Sequence, residues 1–339
     1  MLIFYKVYLF LTSKEKSMKT LTYRFLIAIT FLSVIMYGCS KTTDLSGSGN
    51  LQSGTITSAG SHVYGLIPMT PDQYSNVPLF SKETFPLKLI EKALLLADSL
   101  ATPPIRDQGQ IGSCTAFCGA ETDEILQYYK KGGTGPWSNI LSPAFVYYCE
   151  RVLILKEKIT ADNGAYMVNI PQALQKYGDC LENSYSYPTS DRSTAYKTAP
   201  NSAALTEGLL YRIGQQPTSY GMISSSDLTT VKTMISNKIP VMMGFNVYDT
   251  SAYTLFEGLN TTKYVYNPLT NTGALVSGAK MLGGHAVPIV GYNDKMQAFL
   301  CQNSWGSSWG NHGFFYIPYT VFSSTRIVPS GNVYYATLN

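Results

Sequence analysis

A thiol stands where a glycine-rich loop turns into a helix, in Gln108-Gly109-Gln110-Ile111-Gly112-Ser113-Cys114. The first turn of a helix carries unpaired N–H groups and partial positive charge, which favour a thiolate over a thiol. Gln108 brings amide N–H donors that a folded-back loop can aim at the same point. Far downstream lie an imidazole in Gly283-Gly284-His285-Ala286-Val287 and a carboxamide in Gln302-Asn303-Ser304-Trp305-Gly306. Together these groups suit acyl transfer: sulfur attacks, imidazole takes and returns a proton, and the carboxamide fixes the ring's tautomer. Singly they mean little. A helical Cys is more often a small core residue, a His among apolar neighbours a satisfied buried ring, and an Asn a turn former.

The elements that must position them are legible in outline. A helix starts near Ser113 or Cys114, with Ser113 as a candidate cap. Lys130 and Lys131 close it and Gly132-Gly133 stop it. Phe117, Ala120, Ile125 and Tyr128 can face a core and so fix the thiol. Leu87 to Leu100 has helical spacing before Pro103-Pro104. Ser142-Pro143 opens another helix, Asn169 to Tyr177 a third, and Asp227 caps a fourth. Beyond Pro240 the pattern turns to strands: Val241–Val247, Ala286–Tyr292, Ala298–Cys301, Phe314–Tyr316 and Val333–Ala336.

The Gln loop, the Cys helix, the His strand and the Asn-Ser-Trp-Gly segment, in that order, resemble the papain family of cysteine peptidases from about Pro103 to Tyr319. The resemblance implies an α+β fold of two lobes. A helical lobe (about 100–215) would be followed by an antiparallel, barrel-like β lobe (about 216–339), with a cleft between them, all within a domain spanning 81–339. It implies cleavage of peptides or proteins through a Cys114–His285 pair and a thioester, without a cofactor. Asn303 would orient His285, and Gln108 with the Cys114 N–H would form the oxyanion hole. Trp305 would shield the His–Asn bond, Asn163-Gly164 would lie on a cleft wall, and Cys149–Cys180 would be a disulfide. Two other readings fit the same residues. One is an aminopeptidase-type relative whose cleft is blocked on one side, for instance by Tyr334–Asn339. The other is an inactive binding protein that keeps the fold.

There are departures from the family pattern. Ile111 stands where it usually has Cys, and Thr115 where it usually has an aromatic. The 171 residues from Cys114 to His285 point to insertions, with 248–280 the candidate stretch. Cys118 reads as buried and free.

Residues 1–38 read as a signal peptide, with basic residues followed by an apolar run from Phe25 to Met36. Gly38-Cys39 then resembles a bacterial lipobox, so Cys39 would carry lipid and hold the protein at the cell envelope, on the outer membrane or cell surface. Residues 39–80, rich in Ser, Gly and Thr at first, read as a flexible tether or short pre-segment that includes His62. A short strap across the cleft has room there, though no residue demands it. The leader holds five basic residues and one acid, a balance of +4 that equals the whole-chain charge of +4 and leaves the remainder near zero. No basic patch favours nucleic acid, no His/Cys spacing suggests a metal, and a monomer is expected.

Overall fold

The computed structural model describes residues 58–59, 62–86, 89, 94–188, 197–251 and 254–338, all within one compact unit, 53–339. The leader and Cys39 lie outside the described residues. Among the described residues no helix is long and apolar enough to cross a membrane.

Helices dominate the first half. A short helix α1, Pro71–Tyr74, precedes the central helix α2, Cys114–Lys130. Helix α3, Pro143–Tyr148, runs on through a wider π-type turn, Cys149–Ile154, and α4 spans Asn169–Lys176. Ser142 caps α3 as expected, its hydroxyl accepting from the Phe145 N–H, and Pro143 fills the first turn where no N–H is missed. Ser113 does not cap α2. Its hydroxyl pairs with the Tyr187 hydroxyl at 2.9 Å instead, which leaves the helix N-terminus open.

The second half is a sheet. After α5, Ser202–Gly208, and α6, Leu228–Ser236, the capping Asp227 side chain accepts from Thr230 N–H. The strands are β3 (Ala97–Ser99), β4 (Tyr220–Met222), β5 (Val241–Asp249), β6 (Lys280–Asn293), β7 (Ala298–Gln302), β8 (Phe314–Pro318) and β9 (Val333–Ala336). They pair antiparallel in the order β4-β9-β5-β6-β7-β8, with β3 also on β6. A last helix, α7, covers Tyr319–Phe322. Two short strands, β1 (Ser58–Ala59) and β2 (His62–Val63), form a separate hairpin ahead of all this.

Helices first, antiparallel sheet second: the order matches expectation. Three details differ. Ala97–Ser99 is a strand on β6, not the end of a helix; of the expected helix, residues 87, 88 and 90–93 lie outside the described residues. Tyr334 to Ala336 do not block a cleft, because they sit within the sheet between β4 and β5. Cys149 and Cys180 are both free and buried. Burial pushes both thiols up, which keeps them protonated, and they act as small apolar filler rather than as a crosslink.

Candidate active site

Helix α2 delivers Cys114 at its first residue, and both elements are buried in the core beside β6. The backbones of Gly65, Ala286 on β6 and Thr115 on the same turn lie near the sulfur and favour its charged form. Ala286 is the residue after His285 on β6, the strand that α2 packs against.

His285 lies on β6 opposite Phe245 on β5. Its Nε2 is 2.7 Å from Asn303 Oδ1, while Nδ1 has no hydrogen-bond partner. Asn303 follows β7 directly and is fixed through its backbone N–H on Gly313 O at 2.8 Å. Its oxygen also accepts the Ser304 N–H at 2.9 Å, so that oxygen, not the NH2, faces the ring. Trp305 is buried with its ring centroid 5.2 Å from that of His285, and Phe245 and Phe256 complete an aromatic cage.

Gln108 is locked rather than solvated. Its backbone N–H donates to Ser304 O at 2.8 Å, and Gly306 N–H returns to Arg106 O at 3.0 Å, so the Gln loop pairs with the Asn segment. Ser304 Oγ donates to Gln108 Oε1 at 2.7 Å, which decides which way the amide points. The Nε2 end then donates to Ile111 O at 3.0 Å and to Val63 O at 2.9 Å. Of the two residues expected on a cleft wall, Gly164 has φ +79°, and a Cβ on it would strike the Gly65 carbonyl. The Asn163 side chain instead donates to Glu157 at 3.3 Å.

Burial disfavours charge on both groups. Burial pushes the Cys114 thiol up to about 11, against hydrogen bonds from Gly65, Ala286 and Thr115 that favour the thiolate. Burial takes His285 down to about 4, with the Asn303 bond pulling the other way. Both side chains are fully buried, and the cover over them is the chain itself. Residues 62–67, expected in a flexible tether, run between the two walls. Among the described residues no cluster of His, Cys, Asp or Glu could hold a metal ion.

The profile of the papain family of cysteine proteases matches residues 96–328, more than half the chain. The chain belongs to that family. It is a cysteine-type peptidase with a papain-like fold. An uncharacterised peptidase C1-like protein of Acanthamoeba polyphaga mimivirus is 29% identical over 284 residues, 78% of this chain and 83% of the relative. Xylellain, a cysteine protease from Xylella fastidiosa, has a crystal structure that superposes with a TM-score of 0.62 at 25% identity, covering 81% of this chain and 96% of its own. The procathepsin B structure from Trypanosoma congolense, at 17% identity and TM-score 0.57 over 81% of this chain and 86% of that one, shares the fold.

Within this papain-family site, sequence reasoning missed three contributors. Ser304 lies inside the recognised Asn-Ser-Trp-Gly segment, and its small hydroxyl beside a buried amide was the available signal. Ala165 gives the cleft wall its backbone hydrogen bonds, and it directly follows the Gly164 already singled out. Val63-Tyr64-Gly65-Leu66-Ile67 is an apolar run inside a polar stretch, which is a strand signal.

Proposed function

We propose that the chain hydrolyses peptide bonds in peptides or proteins with Cys114 as nucleophile and His285 as its proton partner. The observation that carries this is that Cys114, Gln108 Nε2 and the His285 ring all lie against one short stretch of chain, 63–65, with His285 Nε2 held by Asn303 and Nδ1 left without a partner. In the opened site, water and the helix N-terminus lower the cost of charge, and the thiol proton passes to His285 Nδ1. The thiolate adds to the carbonyl carbon, and the oxygen gathers negative charge against Gln108 Nε2 and the first-turn N–H of Cys114. His285 returns the proton to the leaving nitrogen as the C–N bond breaks, giving a thioester. It then takes a proton from the water that hydrolyses the thioester, and Cys114 leaves with a proton restored. Asn303, accepting from Nε2–H, keeps Nδ1 as the atom that exchanges protons, and Trp305 excludes water from that bond.

The leader supports export, and Gly38-Cys39 supports lipidation at Cys39 and an envelope location; incorporation of labelled palmitate lost in Cys39→Ala checks it. The catalytic reading is tested with a peptidyl epoxide that traps reactive thiolates, the adduct being mapped by mass spectrometry. The expected adduct is on Cys114 and vanishes in Cys114→Ala. Labelling on another cysteine, or none on prolonged exposure of the folded protein, contradicts it and favours a binding role.

A further inference from the structure

The peptide group that joins Ile111 to Gly112 is gripped at both ends. Its oxygen, Ile111 O, accepts from Gln108 Nε2 at 3.0 Å and from the Ser113 N–H at 2.8 Å. Its N–H, on Gly112, donates to both carboxylate oxygens of Asp162, at 3.2 and 3.3 Å. Asp162 comes 50 residues later in the chain, so the grip is tertiary. Asp162 is itself held. The Tyr147 hydroxyl donates to its Oδ1, and the Gly164 N–H donates to the Tyr147 oxygen at 3.2 Å. The buried Arg151 guanidinium lies 4.2 Å from the centre of the Tyr147 ring and donates to the carbonyl of Ala161, the residue before Asp162. Burial pushes the pKa of the Asp162 carboxyl up, while Tyr147, Gly112 and Arg151 favour its charged form.

The Gln108 amide has two N–H hydrogens. Ile111 O takes one, and Val63 O takes the other at 2.9 Å. Ser304 Oγ holds the opposite end, Oε1, at 2.7 Å. With its oxygen and one hydrogen anchored, the amide has a single hydrogen left to aim at an oxygen beyond the loop. Its direction depends on where Ile111 O stands. A peptide group is planar, so a carboxylate that fixes the Gly112 N–H also fixes that oxygen. The same carboxylate polarises the peptide and strengthens the bond that Ile111 O accepts. Asp162 thereby reaches Gln108 through one peptide group.

We propose that Asp162 is a positioning residue for peptide hydrolysis: by holding the Ile111–Gly112 peptide it aims the Gln108 N–H that meets the developing oxyanion. This rests on the peptidase reading, in which a substrate oxygen takes the N–H now bonded to Val63 O. Asp162 touches no reacting atom. It serves the step in which the carbonyl oxygen gathers charge, and it leaves the ionisation of Cys114 unchanged.

The test compares Asp162→Ala, Asp162→Asn, Gln108→Ala and the double variant Asp162→Ala/Gln108→Ala in the full chain. Two rates are measured: hydrolysis of a peptide, and alkylation of Cys114 by iodoacetamide, which needs the sulfur but builds no oxyanion. Asp162→Ala is expected to lower kcat about tenfold, with KM and the alkylation rate within about twofold of wild type. Asp162→Asn keeps an acceptor for the Gly112 N–H and is expected to recover most of that loss. In the Gln108→Ala background, Asp162→Ala is expected to change kcat by less than about twofold, because the group it acts through is gone. If Asp162→Ala does not fold, Tyr147→Phe, which removes the hydroxyl on Asp162, takes its place with a loss of about threefold. Losses that multiply in the double variant, or alkylation that falls with hydrolysis, overturn the proposal. A further readout needs no turnover. With isotope-labelled glutamine, the Gln108 side-chain amide signals, identified by their loss in Gln108→Ala, are expected to move in Asp162→Ala; signals that stay in place overturn the proposal. Signals that move while no form hydrolyses peptide keep the coupling of Asp162 to Gln108 and overturn the peptidase reading instead.

Discussion

The helical and sheet surroundings of Cys114 and His285 both desolvate their group, but they are built from different side chains. Behind Cys114 the helical wall is full of buried carboxyls: Glu150 accepts from Thr115 Oγ1 at 2.8 Å, and Glu124 pairs with Arg106 at 2.8 Å. Desolvation raises Glu121 and Glu150 to about 8, and Glu150 in turn adds to the upward push on Cys114. Behind His285 the sheet wall offers rings rather than charges, with Phe245, Phe256 and Trp305 within 5.7 Å of its centroid. Desolvation opposes charge on both groups; on the helical side Glu150 adds a smaller push against the thiolate, and on the sheet side the rings add no charge. The lesson is that neither wall alone makes a reactive pair. Charge on either group needs water or substrate beside it.

The comparison breaks most sharply at His285. His285→Ala removes the proton carrier and is expected to lower kcat/KM for peptide hydrolysis by about 10²–10⁴-fold, while folding, read by circular dichroism, is kept. On the same wall, Phe256→Ala opens a cavity beside His285, Trp305 and Trp309. It is expected to cost about 3–5 kcal/mol in a urea titration.

The helical wall answers to pH. Glu150 keeps its proton to about pH 8 in the fold, against an ordinary 4.5 when unfolded. Between those values the unfolded chain has released a proton that the folded one retains, so stability falls as pH rises and levels off above 8. Measuring from pH 6.5 to 8 stays above the histidine's window, since His285 shifts the other way, between 6.5 and 4. Over that span Glu150 accounts for a decline of about 2 kcal/mol, and Glu150→Gln is expected to remove that share. A slope unchanged in the variant contradicts the assignment. The smallest effect is expected at the seam between the walls. Ser304→Ala frees the Gln108 amide to rotate and should lower kcat about tenfold with little change in KM.

Much of this was legible in the residues because it rests on local rules. The cap at Ser142, the glycines that stop α2 and the β-rich blocks after Pro240 are short-range signals, and the structure has elements at those places. The bond between His285 and Asn303 and the pairing of the Gln108 loop with the Asn303 segment followed only from the order of those segments along the chain, which a resemblance can supply and periodicity cannot. Ser113 was misread because its hydroxyl found Tyr187, 74 residues away, in place of its own helix. The proposed disulfide failed for a similar reason, since burial satisfies Cys149 and Cys180 separately. The position of Leu66 was least visible, since beyond the local β1–β2 hairpin it pairs with Ala165 and Gly284, at separations no local pattern encodes.

The central claim is that Cys114 carries the acyl group during turnover. Rapid acid quenching of the full chain with an activated peptide ester, followed by mass spectrometry of the fragment bearing Cys114, tests it directly. The account predicts the acyl mass on Cys114 within the first turnover and none in the same protein carrying Cys114→Ala. Turnover of the ester with an unmodified Cys114, or an acyl mass on another side chain, would contradict it.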